Sequence, residues 1–114
     1  MHNRTPGDTT WKALPRRSID GKAGTYASFL TSVKDGQDFK LATWRGEPGV
    51  FDSPKGAPFA ETYCIYRGEG SLEIGDEKIT LRPGVIVNLP KGVPFKLSLH
   101  TQVEKFAVIH EIDA

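Results

Sequence analysis

Glu61-Thr62-Tyr63-Cys64-Ile65-Tyr66-Arg67-Gly68, running on into Glu69-Gly70-Ser71-Leu72-Glu73-Ile74, and Gly84-Val85-Ile86-Val87-Asn88-Leu89-Pro90-Lys91-Gly92-Val93-Pro94-Phe95 are the stretches on which the fold turns. Each is a short run alternating between two faces and closed by Gly or Pro, the pattern of half-buried strands. Between them lies a hairpin, Ser71–Ile74 and Lys78–Leu81 around Gly75-Asp76-Glu77. Leu72 and Ile74 share one face of it, as do Ile79 and Leu81, and Gly75 supplies the turn. Strands this short need further sheet to pack on. Working outward, the same reading predicts strands over Thr25–Val33, Asp38–Arg45, Val50–Ser53, Glu61–Tyr66, Val85–Leu89, Phe95–His100 and Val103–Ile112. Asp35-Gly36, Glu47-Pro48-Gly49, Ser53-Pro54-Lys55-Gly56, Arg82-Pro83-Gly84 and Pro90-Lys91-Gly92 punctuate them. With 12 Gly, 8 Pro, no amphipathic helix and no internal repeat, the expected class is all-β, a double-sheet jelly roll.

A chain of 114 residues fits one domain and buries enough surface for a core. Its 15 Lys+Arg against 14 Asp+Glu argue against nucleic acid or an anionic membrane as partner. No apolar run approaches the ~18 residues that span a bilayer, and Met1–Pro6 lacks the apolar core of a signal peptide. The single Cys excludes an internal disulfide and makes a reducing cytoplasm the expected location. Residues 1–24 stand apart, with Arg4, Lys12, Arg16, Arg17 and Lys22 against Asp8 and Asp20. They are read as an N-terminal arm, either frayed or packed on its own barrel or on a partner subunit, and residues 25–114 as the barrel.

The two stretches resemble the paired motifs of the cupin superfamily, with the hairpin as the segment between motifs. In the second, Gly84 is followed after five residues by Pro90, then by Gly92 and by Phe95 at the ligand position. The chain most resembles the small cupins related to (S)-ureidoglycine aminohydrolase and to the ethanolamine-utilisation cupin. Trp44 stands on the strand before motif one, Glu61–Gly68 carries the motif, and Phe106-Ala107-Val108-Ile109-His110 forms an apolar last strand. The resemblance covers about Thr25 to Ile112 and implies a double-stranded β-helix barrel, RmlC-like in topology.

Metal-binding cupins take two His and a Glu from motif one and a third His from motif two. Placed on this chain, those positions fall near Lys55 and Ala57, on Glu61 and on Phe95. One carboxylate does not hold a divalent transition metal, which needs three or more converging donors. Of His2, His100 and His110, only His110 shares a face of the last strand with apolar residues, Phe106 and Val108. The expectation is therefore no bound metal and no cofactor.

The open end of such a barrel would gather Glu61 and Tyr63, with Trp44, Arg45, Lys55, Ala57, Ile65, Phe95, Leu97 and His110 around a small-molecule ligand. A desolvated Glu61 could serve as general acid or base, with Tyr63 orienting the ligand and Lys55 or Arg45 fixing an anionic group. That reading is an isomerase, lyase or aminohydrolase acting on a small polar metabolite. A ligand-binding or sensing module, with Trp44, Phe59, Tyr63 and Phe95 holding a cationic amine, remains open beside it. So does a dimeric accessory protein, and a homodimer is expected in either case. Cys64 lies on the face opposite Glu61 with no His nearby and reads as a small packed hydrophobe.

Overall fold

Alternation along each run is realised as ten strands in a computed structural model that describes residues 5, 7, 9–30 and 38–110. In chain order these are β1 (Lys12–Arg17), β2 (Gly24–Phe29), β3 (Lys40–Gly46), β4 (Gly49–Ser53), β5 (Ala60–Arg67), β6 (Gly70–Ile74), β7 (Glu77–Leu81), β8 (Ile86–Leu89), β9 (Phe95–Leu99) and β10 (Val103–His110). They form a six-stranded sheet, β1-β2-β3-β10-β5-β8, and a four-stranded sheet, β4-β9-β6-β7. Every pairing is antiparallel, and the chain crosses repeatedly between sheets, so the architecture is the expected all-β jelly roll. The turn at Asp35-Gly36, the expected strand ends at 31–33 and 111–112, and His2 lie outside the described residues.

The inner faces follow from a two-residue period. Tyr63 and Ile65 of β5, Leu72 of β6, Leu81 of β7, Val87 of β8, Leu97 and Leu99 of β9, and Phe51 of β4 form one buried cluster. The hairpin pairs Leu72 with Ile79, as its alternation implied, but Ile74 already pairs with Glu77. Its loop is therefore the two residues Gly75-Asp76, and Glu77 belongs to the strand. β1, inside the stretch set apart by composition, pairs with β2 and extends the larger sheet.

The last strand corrects one expectation. Val103 and Ala107 are buried whereas Phe106 is 38% exposed, so the inward set is Val103, Lys105, Ala107 and Ile109. Phe106, Val108 and His110 face outward. A one-residue shift in phase exchanges the two faces of a strand.

Two corners show why the motif glycines stand where they do. Gly68, at φ 91°, carries the chain from β5 in one sheet towards β6 in the other. A Cβ there would collide with the Gln102 carbonyl oxygen and the Val103 Cα. Gly75, at φ 58°, has open space beside it. Gly75→Ala should cost ~1–2 kcal/mol, the ordinary strain of a left-handed residue. Gly68→Ala should cost more than ~3 kcal/mol, because backbone atoms must also move. Urea unfolding of both variants checks the difference, with the slope against denaturant expected to be unchanged.

Candidate functional site

Between the sheets lies a cavity of about 510 Å³. Its existence follows from side-chain size. On the inner face of the larger sheet, Ala42 of β3 pairs with Ala107 of β10, and Phe29 and Tyr63 flank the pair on either side. Two methyl groups at the centre of a sheet leave volume that larger side chains would fill. Trp44, Phe59, Phe95 and Leu97 complete a mostly apolar wall.

Two oppositely charged groups are buried in that wall. Lys105 Nζ donates to Glu61 Oε1 at 2.5 Å, and the two side chains are only 11% and 10% exposed. The register explains the geometry. Lys105 pairs with Trp44 on one side and Ile65 on the other, whereas Glu61 pairs with Ile109 further along β10. The lysine stem must therefore lie across Tyr63 to reach the carboxylate. Its ammonium sits 3.7 Å from the Tyr63 ring centroid and 4.7 Å from that of Trp44. Ring faces and a carboxylate together replace the water the ammonium has lost. Burial pushes the Tyr63 hydroxyl well above its ordinary pKa, and the Glu61 carboxylate pushes it further. Tyr63 is thus a neutral phenol that can donate a proton in a hydrogen bond.

Nearer solvent the wall carries Arg16 and Lys40. β1 is bulged: Ala13 pairs with Tyr26 and Arg17 with Gly24, so Leu14-Pro15-Arg16 face a shorter stretch of β2. Pro15 cannot donate to the ladder, which suits a bulge. Arg16 emerges from it and bridges to the other sheet, donating through Nη2 to the Asp52 carbonyl oxygen at 2.6 Å and to Ser53 Oγ. Its guanidinium also lies 5.9 Å from the Phe95 ring. Lys40 stands over the Phe29 ring at 5.5 Å.

The turns before β5 and after β8 meet beside this site. Gly92 N donates to the Ala57 carbonyl oxygen at 2.9 Å, and a Cβ on Gly56 would strike Gly92 and Val93. Ala57, Glu61 and Phe95, which the resemblance sets at or near the cupin ligand positions, all line this cavity. Their chemistry does not fit a metal. Ala57 and Phe95 have no donor atom, Lys55 is exposed outside the wall, and Glu61 Oε1 is taken by an ammonium. No three His, Cys, Asp or Glu converge among the described residues.

Of the residues read from sequence, Glu61, Tyr63, Trp44, Ala57, Phe95 and Leu97 line the cavity. Ile65 shares their face but belongs to the packed core below. Arg45 must be corrected: neighbour to Trp44 on a strand, it takes the opposite face. There it pairs with Glu104 at 3.2 Å and lies 4.4 Å from the Trp11 ring. His110 also faces away, with Nε2 3.5 Å from Thr62 Oγ1. The ammonium assigned to Lys55 comes instead from Lys105. Cys64, half-buried, points away from Glu61 as expected. Lys105, Arg16 and Lys40 were missed. The two faces of β10 are similarly apolar, so alternation alone could not choose between them.

Comparison with known proteins bears on the family. The profile of the EutQ-like cupin domain matches residues 33–107. The chain belongs to the EutQ-like cupins. Among curated proteins none matches it. In fold this cupin is similar to the EutQ protein of Clostridium difficile, at TM-score 0.73 and 16% identity over 87% of this chain and 78% of that one. A cupin 2 conserved barrel domain protein from Rhodopseudomonas palustris follows at 0.71 and 11% identity, over 97% and 79%. Ectoine synthase from P. lautus is similar at 0.66 and 21% identity, over 79% and 66%.

Two outcomes test the pair and the phenol. Glu61→Gln or Lys105→Met should each cost ~3–5 kcal/mol, since each leaves a buried charge or its partner stranded. The double variant Glu61→Gln/Lys105→Met should cost less than the sum of the two, a coupling measurable by chemical denaturation. The Tyr63 contribution is fully present below the unfolded value of ~10 and is lost as pH rises towards the higher folded value, because the unfolded chain releases its proton first. Tm should therefore fall more steeply above pH ~10 in the wild type than in Tyr63→Phe, as followed by circular dichroism.

Proposed function

We propose that this cupin binds a small polar metabolite in its barrel and moves a proton on it with Glu61, without a bound metal. The observation that carries this reading is the Glu61–Lys105 pair inside an apolar cavity large enough for a ligand. Lys105 engages Oε1, and Glu61 Oε2 has no hydrogen-bond partner among the described residues. A carboxylate with one oxygen available in a mostly apolar cavity can take a proton from a bound C–H, N–H or O–H group and return it to another atom. The Lys105 ammonium stands beside the developing negative charge, where a fixed cation in low dielectric stabilises it. Tyr63, a neutral donor on the same face, orients the ligand. Isomerisation, elimination and amine hydrolysis are all consistent with this set. The resemblance to the ureidoglycine aminohydrolase cupins favours nitrogenous substrates.

A second reading has its own support. Trp44, Phe59 and Phe95 give the cavity aromatic walls, which suit a binding or sensing module without turnover. A thermal-shift screen of ureides, hydroxy acids, amines and sugars should find a ligand that raises Tm, as saturation stabilises a fold by a few kcal/mol. Wild type should consume that ligand. The variant Glu61→Gln/Lys105→Met, which removes both charges together, should bind it and leave it intact. A ligand recovered unchanged from wild type after long incubation would establish the binding module instead.

A further inference from the structure

The charged side chains in the cavity wall are Arg16, Lys40, Glu61 and Lys105. Glu61 and Lys105 neutralise one another, which leaves two cations facing a mostly apolar space. Neither Arg16 nor Lys40 has an ion-pair partner among the described residues. They differ in how firmly they are held. Lys40 rests on one ring face. Arg16 is anchored at three places, by the Asp52 carbonyl oxygen, Ser53 Oγ and the Phe95 ring, and the bulge of β1 aims it there. Both hydrogen bonds use Nη2, so Nε and Nη1 have no partner among the described residues. A guanidinium held in place, with donors left over, has given up its rotamer freedom before any ligand arrives.

Building on the proposed function, we infer that Arg16 is an anion-recognition residue and that the ligand is an acid: an apolar or flat body carrying one carboxylate or phosphate. The apolar body lies against Trp44, Phe95 and Leu97. The oxyanion meets the Nε and Nη1 donors of Arg16, with Lys40 adding long-range attraction. Charge complementarity demands this sign. A cationic amine, the ligand that the aromatic walls alone suggest, would enter a wall whose only carboxylate is already bound to an ammonium. The basic N-terminal stretch thus has a role within its own barrel: β1 brings to the cavity a charge that the paired cupin motifs do not contain.

Isothermal titration with phenylacetate, phenyl phosphate and the uncharged phenylacetamide tests the assignment. At least one acid should bind tenfold or more tightly than the amide, and that preference should shrink as salt rises. Which acid binds better tells carboxylate from phosphate. Arg16→Gln should weaken the acids about tenfold while the amide stays within twofold of wild type, which also shows that the cavity remains folded. Arg16→Lys should restore part of the loss. Equal affinity for acid and amide, or an Arg16→Gln variant that binds acids as well as wild type, overturns the anion assignment and leaves the cavity reading standing. If none of the three probes binds, both readings fall.

Discussion

An ammonium inside an apolar barrel requires a carboxylate beside it, and the interior of this protein is arranged around that requirement. Lys105 and Glu61 sit on adjacent strands of one sheet but at different levels of the ladder. The lysine stem bridges the offset, and the Tyr63 ring fills the space beneath it. Once this pair is in place, the phase of β10 is no longer free: turning the strand over would bury Glu104 against Glu61 and send the ammonium outward. On the outer face Glu104 already has its own cations, Arg45 and Arg67. The two charges of neighbouring residues are thus sorted to opposite sides of one sheet, each with a counter-charge waiting.

The same pair explains how this cupin interior can hold the Glu61 carboxylate among apolar side chains. A lone carboxylate in such surroundings would be desolvated and neutralised by protonation. Here the compensating positive charge is covalently part of the chain. Its position depends on packing against Tyr63 and Trp44. Ala57 and Phe95 then contribute shape alone.

Much of this was readable from the residues. Turn chemistry and alternation placed the strands of both motifs to within a residue or two, because Gly and Pro at the corners do structural work that few other residues can. Glu61 and Tyr63 were legible as inward partners because the cupin resemblance turns the motif-one Glu into the barrel and a two-residue period carries Tyr63 to the same face. Lys105 was not. On β10 the inward set holds Val103, Lys105, Ala107 and Ile109 and the outward set Glu104, Phe106, Val108 and His110, so hydrophobicity did not choose between them, and only the pairing with β5 resolves it. Arg16 was hidden for a different reason. Its role depends on a bulge that shifts register, and on a contact with Ser53 far along the chain, neither of which a local pattern records. Arg45 and Lys55 were chosen by charge and proximity in sequence, and neither criterion reports which way a side chain points.

The facing alanines at positions 42 and 107 have a consequence for divergence. No hydrogen bond of their side chains, no charge and no unusual backbone angle depends on them; they matter by what they leave empty. A lineage could enlarge either one and shrink the chamber stepwise while the charged apparatus above stayed as it is. Cavity size and cavity charge are therefore encoded by separate residues here, and selection can tune one without reopening the other.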